Sequence, residues 1–240
     1  MAKATLPHSL AAHLKVRPFK CMHNLNRRGL WVAVFGPDGA GKSAVIKRLA
    51  DDVPAPLCGT QQFHFRPMFR LEWNESPATT TPHGRAPRSA LVAIVKLLYW
   101  LADCWYGYVF IALPARTGSR LVIFDRYLDD ILIDPLRYRL PKSSLWFARL
   151  AVSLAPRPDL YILLDVPAEI VQQRKAEVSA AESQRQRLAY REMFRSLPNA
   201  CVVDAVPPVD EVAEELKAVI LESLDRQATT RGRASLAAHA

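Results

Sequence analysis

Eight consecutive residues carry the strongest chemistry in this 240-residue chain: Gly36-Pro37-Asp38-Gly39-Ala40-Gly41-Lys42-Ser43. They fit GxxxxGK followed by Ser or Thr, the spacing of a phosphate-binding loop. Gly36, Gly39 and Gly41 free the backbone to turn successive N–H groups, Ala40 and Ala44 included, onto a phosphate. The start of the following helix adds partial positive charge. Lys42 has the reach for the outer phosphates of a nucleoside triphosphate, and the Ser43 hydroxyl is placed to ligate magnesium. ATP and Mg2+ are therefore the expected cofactors.

A further acid and a scatter of cations sit where such a loop needs them. The run Arg120-Leu121-Val122-Ile123-Phe124-Asp125-Arg126-Tyr127 is apolar up to Asp125, as a fully buried parallel strand is. An Asp ending such a strand beside the loop helps hold the metal. Arg126 next to it can grip a phosphoryl group through two parallel bonds. Arg66, just past a second short strand near 61–65, is positioned for an anionic ligand, since ligands bind outside the carboxyl ends of such strands. Arg174, Lys175, Arg185 and Arg187 read as cations on a polar hinge between helices that could close over a triphosphate.

The elements that must position these groups follow from the apolar pattern. Strands are expected at 30–35, 61–65, 121–125, 159–166 and 200–204. Helices follow the loop to about 51, then at 89–113, 143–154, from 167, and at 210–224. Strands alternating with helices imply a parallel sheet covered on both faces, so the expected class is α/β, a three-layer α/β/α fold on five parallel strands. Residues 1–29 read as a basic arm, 30–225 as one domain and 226–240 as a disordered basic tail. The aromatic stretch at 97–113 is interrupted by Asp103 and is at the short end for a span, so it is expected as a buried helix and not a transmembrane segment. Lys96 and Asp103 on the 89–113 helix are candidates to face an acceptor pocket.

Half of the chain is hydrophobic and 23% is charged, with a net charge of +9. The basic excess gathers partly at the two ends, so no nucleic-acid partner is expected. Cysteines at 21, 58, 104 and 201 show no metal-ligand spacing, and reduced thiols in a cytoplasmic protein are the expectation.

Taken together the motifs resemble the thymidylate kinase family of nucleoside monophosphate kinases. The loop GPDGAGKS carries an acid where that family's loop does. Phe124-Asp125-Arg126-Tyr127 is similar to its Asp-Arg-aromatic motif, and Pro158-Asp159-Leu160 through Asp165-Val166-Pro167-Ala168-Glu169, with Arg174 beyond, is similar to its Pro-Asp-Leu…Leu-Asp-Val-x-Pro-Glu…Arg run. The resemblance implies transfer of the ATP γ-phosphoryl to a dTMP-like acceptor. It places Lys42 and the loop amides on the phosphates, Ser43 and Asp125 on the metal, Asp38 on the acceptor side, Arg126 and Arg66 on the acceptor phosphate, and Arg174 with the 175–187 cations over the triphosphate. A homodimer is compatible with it. The chain departs from the family at Phe35, where a Glu is usual, at Ala44, where a second Thr is usual, in the short Phe65-Arg66-Pro67, and in Leu132-Ile133-Asp134-Pro135-Leu136-Arg137-Tyr138, where part of the thymidine site would lie. The resemblance thus carries triphosphate binding but not thymidine recognition. The chain also resembles a divergent branch found with bacterial surface-polysaccharide enzymes. That likeness implies a sugar or glycan acceptor, for which Arg137 and Arg139 are suited. A non-catalytic ATP-binding switch is the remaining alternative.

Overall fold

In a computed structural model, residues 29–55, 57–65, 86–174 and 178–237 are described, with side chains up to 230. Five parallel strands, β1 (Leu30–Phe35), β2 (Thr60–His64), β3 (Leu121–Asp125), β4 (Leu160–Asp165) and β5 (Ala200–Asp204), form one sheet in the order β2-β3-β1-β4-β5. β1 is central, paired with β3 from Leu30↔Leu121 to Val34↔Asp125 and with β4 from Val32↔Leu160 to Phe35↔Leu163. This register brings the carboxyl ends of β1, β3 and β4 together, so the loop after β1 meets Asp125 and Asp165.

Alternation along β1 divides the core. Trp31, Ala33 and Phe35 face one side, with Ala93, Leu97 and Trp100 of α2 (Ala90–Gly107), Ala148 of α5 (Leu145–Leu154), and Tyr190 and Phe194 of α7 (Ala180–Ser196). Leu30, Val32 and Val34 face the other, with Val45, Ile46 and Leu49 of α1 (Lys42–Asp51), Val171 of α6 (Ala168–Arg174), and Val212, Leu216 and Ile220 of α8 (Val209–Ala237). A central strand buried on both faces is why its sequence is an unbroken apolar run. The three-layer α/β/α arrangement is the expected one.

Three features depart from the sequence reading. The tail after 225 is not disordered as far as Ala237, because α8 continues through it. The apolar stripe stops near Leu224, but once a helix is nucleated, Ala, Arg and Gln propagate it without a core to bury into. The aromatic segment is longer and less buried than expected. α2 continues through a π-helical turn at Tyr108–Ala112 into α3 (Leu113–Thr117), and only 33% of its most apolar window is buried. Cys58 is disulfide-bonded, not reduced, while Cys104 and Cys201 are free thiols. Four isolated cysteines carry no pairing signal that the sequence could have shown. The expected basic arm at 1–28 lies outside the described residues.

Candidate active site

The loop between β1 and α1 has the backbone that its glycines permit. Gly36, Gly39 and Gly41 have φ of 147°, 90° and 81°. A Cβ at Gly36 would stand 2.8 Å from the Leu164 carbonyl oxygen, so β4 itself forbids a side chain there. Gly41 is the left-handed residue from which α1 starts. Lys42 is buried, and its Nζ donates to the carbonyl oxygens of Gly36 and Pro37 at 2.9 Å each. Burial is the largest influence on the Lys42 ammonium and, with the Arg126 charge, lowers its pKa to about 8 despite Asp125, Asp38 and Asp130. Ala40 is buried and Ala44 exposed at the start of α1.

Asp125 ends β3 opposite this loop. Ser43 Oγ donates to Asp125 Oδ2 at 3.3 Å, and His64 Nδ1 lies 3.5 Å from the same oxygen. Burial alone would raise the Asp125 carboxyl, but the His64 hydrogen bond and the charges of Lys42, His64 and Arg126 hold it below the usual range. Its Oδ1 is buried with no hydrogen-bond partner among the described residues. A hydroxyl beside an ionised carboxylate with an unused, buried oxygen is a donor set that suits magnesium when phosphate and water oxygens complete the shell. Among the described residues no group of three or more His, Cys, Asp or Glu could hold a metal alone.

Behind Asp125 lies a buried network that the sequence did not reveal as one unit. Arg126 has φ of 69°, rare for a non-glycine, and its backbone N–H donates to the Val34 carbonyl at 2.8 Å. That turn sends a side chain only 4% exposed back toward the loop. Nη1 reaches both Asp130 oxygens at 2.9 Å and the Tyr190 hydroxyl at 2.8 Å, and Nη2 reaches Asp38 Oδ1 at 2.6 Å. Asp130, in the short α4 (Asp130–Ile133), is fully buried and also accepts from the hydroxyls of Tyr138 (2.6 Å) and Tyr190. Arg137 Nη1 donates to the other Asp38 oxygen. Burial would raise the Asp38 carboxyl, but Arg126, Lys42 and Arg137 outweigh it and hold the group ionised at any working pH. Asp38 therefore sits between two guanidiniums at the edge of the loop. Non-glycine residues held at positive φ cluster at functional sites, where their surroundings over-determine them.

The departure at Phe35 has a structural role. Its ring meets Tyr161 at 6.1 Å, Tyr190 at 6.4 Å and Phe194 at 5.6 Å between centroids, so it seats α7 on the sheet. That seat carries Tyr190 into the Arg126 network. Lys96 Nζ lies 4.4 Å from the Trp100 ring and donates to the Tyr138 carbonyl at 3.3 Å, which places it beside this segment, whereas Asp103 is buried on the core side of α2.

The lid cations are divided. Residues 184–191 lie within α7 and not on a hinge, because Ser179 caps that helix by accepting from the Glu182 N–H. Arg187 makes two 2.8 Å bonds to Asp165 at the end of β4, with Arg191 joining at 3.2 Å. Arg185 pairs with Glu182 and donates to the Ile133 carbonyl. Arg174 instead donates to the carbonyls of Ala205 and Val206 beyond β5, two strands from the loop. Arg66 and Lys175 lie outside the described residues.

Sequence comparison accords with this geometry. The chain is 28% identical over 202 residues to "Thymidylate kinase" of Xanthomonas campestris pv. campestris, covering 82% of this chain and 85% of that one. It is 29% identical over 219 residues to the protein of the same name from Xanthomonas euvesicatoria, covering 87% and 92%. In fold it matches the thymidylate kinase structure from Candida albicans with a TM-score of 0.58, over 81% of this chain and 92% of that one, at 18% identity. The chain is thus similar to thymidylate kinases in sequence and in fold. No family model matches it. The residues that the family motifs gave, Asp38, Lys42, Ser43, Asp125 and Arg126, meet at one end of the sheet. Asp130, Tyr138 and Tyr190 were missed because their significance is that they are buried together, a fact visible only in the fold.

Proposed function

We propose that this protein is an ATP-dependent phosphotransferase that moves the γ-phosphoryl group to a dTMP-like nucleoside monophosphate. The observation that carries this reading is that three cations converge on Asp38, Lys42 at 4.0 Å and Arg126 at 2.6 Å from Oδ1 and Arg137 on Oδ2, at the edge of the loop whose Ser43 meets Asp125. A triphosphate site and an anionic-acceptor site thereby share one carboxylate. The names of its relatives support the kinase class.

The loop amides and Lys42 would hold the β- and γ-phosphates, with Lys42 exchanging its two carbonyl partners for phosphate oxygens. Ser43 and Asp125 would hold magnesium, which neutralises charge on the phosphates. Arg126, already a cation fixed by Asp130 and Tyr190, orients the acceptor phosphate without having to order a flexible chain at the moment of reaction. Arg187 and Arg191, held by Asp165 at the end of β4, would be the lid cations on this reading. Positioning and charge stabilisation suffice, since phosphoryl transfer asks little covalent chemistry of the protein.

One observation favours a second reading, a sugar or glycan acceptor carrying an acid group. Arg137, which meets Asp38, comes from the 132–138 segment that departs from the family's nucleoside-binding sequence. Direct assay separates the two. Stimulation of ADP release by dTMP supports the first reading, and stimulation by acidic sugars alone supports the second. Lys42→Ala and Arg126→Ala should abolish either activity, and full activity in one of them removes the role given to that residue.

A further inference from the structure

The end of the sheet away from the phosphate loop carries an open groove of about 760 Å³. It is lined by Asp159 and Asn199, which precede β4 and β5, by Arg116 of α3, and by α8 residues between 222 and 230. Leu224 is the last residue of α8 that packs on the core, so the helix runs on over this groove without apolar support. Ser223, only 6% exposed, lines the groove with no hydrogen-bond partner among the described residues. A polar occupant would satisfy that hydroxyl and support the helix above it.

The chain enters the sheet beside this groove. The Gly29 N–H donates to the Arg116 carbonyl at 2.8 Å, and the Trp31 N–H donates to Asp159 Oδ2 at 3.0 Å. A Cβ at Gly29 would stand 2.1 Å from the Arg120 carbonyl oxygen and 2.2 Å from that of Ala115, so no side chain fits there. Residues 1–28 are thereby tethered where the groove opens. A tethered segment meets a neighbouring site at an effective concentration on the order of millimolar, so weak contacts suffice to dock it.

Charge selects the same occupant. Residues 1–28 carry Lys3, Lys15, Arg17, Lys20, Arg27 and Arg28 and no Asp or Glu. In the groove Arg116 is matched by Asp159, through bonds of 3.0 and 2.6 Å. Glu222 stands 3.8 Å from Arg226, outside hydrogen-bond distance, and Asp225 has no ion-pair partner among the described residues. We propose that the basic arm, residues 1–28, docks in this groove with its cations on Glu222 and Asp225. Docked there, the arm fastens the end of α8 to the starts of β4 and β5. The same two carboxylates disfavour a free anion such as a nucleotide.

The test is hydrogen–deuterium exchange of the full-length protein. Amides within 1–28 and those of 225–237 should be protected in the parent, and high salt should weaken the protection. Glu222→Lys/Asp225→Lys, at two exposed positions, should speed exchange in both segments by about fivefold or more, the effect of losing two exposed ion pairs. Glu211→Lys/Glu215→Lys makes the same charge change at the other end of α8 and should leave both segments protected. An arm that exchanges fully at the earliest time point in the parent would overturn the proposal. So would an arm whose protection survives Glu222→Lys/Asp225→Lys, since it then docks elsewhere. Equal loss in the two variants would reduce the effect to overall charge, and protection that rises with protein concentration would seat the arm on a second copy. Either result overturns the proposal too.

Discussion

Replacing Asp130 with Asn tests whether the buried network behind the loop holds Arg126 in place. The carboxylate is fully buried and accepts from Arg126, Tyr138 and Tyr190, so the exchange removes a charge and turns an amide donor toward a guanidinium. Arg126 keeps Asp38 as its remaining carboxylate partner. Breaking one side of a buried pair typically costs about 3–5 kcal/mol, because the other charge stays desolvated. For a domain of this size that corresponds to a Tm lower by roughly 6–20 °C. Urea unfolding and calorimetry would measure it. Arg126→Met in the same chain should return part of the loss, so that the double variant is more stable than the sum of the singles requires. A Tm within about 2 °C of the parent, equivalent to under about 1 kcal/mol, would refute the reasoning. The network would then be incidental to the placement of Arg126.

Three further outcomes follow from the same geometry. With Lys42 at about 8, Mg-ATP affinity should fall as pH rises through 8, and binding above that pH should take up a proton, as calorimetry in buffers of different ionisation enthalpy would show. The folded-state value lies below the unfolded one, so the unfolded chain binds more protons between about 8 and 10.5 and stability from this group rises with pH across that window. A pH-independent affinity with no proton uptake would contradict it. Asp129 is buried and burial raises its carboxyl to about 6, so its ionisation at neutral pH opposes folding. Asp129→Asn should therefore stabilise the protein at pH 7 by on the order of 3 kcal/mol and by much less near pH 4, and denaturant midpoints that move equally at both values would count against it. Arg174→Ala should cost about 1–2 kcal/mol of stability through its two carbonyl bonds while leaving kcat nearly unchanged. A hundredfold fall in kcat at unchanged Tm would return Arg174 to the triphosphate.

What the sequence disclosed and what it hid have physical causes. The loop was legible because its glycines answer to local backbone geometry, and β1, β3 and β4 because double burial forces unbroken apolar runs. Their carboxyl-end residues, Asp125 and Asp165, were placed by the same rule. Asp130 and Tyr190 are 60 residues apart and meet only through packing. Phe35 gives no local sign that it seats α7. Arg174 was expected over the triphosphate because the lid cations follow one another in sequence, yet the turn after α6 directs it to β5 while Arg187 reaches Asp165. The outer face of α2 reads as core in the sequence, because hydropathy cannot tell which side of an apolar helix is covered. The extension of α8 was missed because helix propagation past the last buried residue leaves no hydrophobic period.

The most direct measurement is ADP release by the purified protein with Mg-ATP, alone and with dTMP, other nucleoside monophosphates or acidic sugars. Strong stimulation by dTMP, lost in Lys42→Ala and Arg126→Ala, is the result expected of the proposed phosphotransferase. Tight ATP binding with no stimulation by any acceptor would contradict it and leave a nucleotide-binding switch.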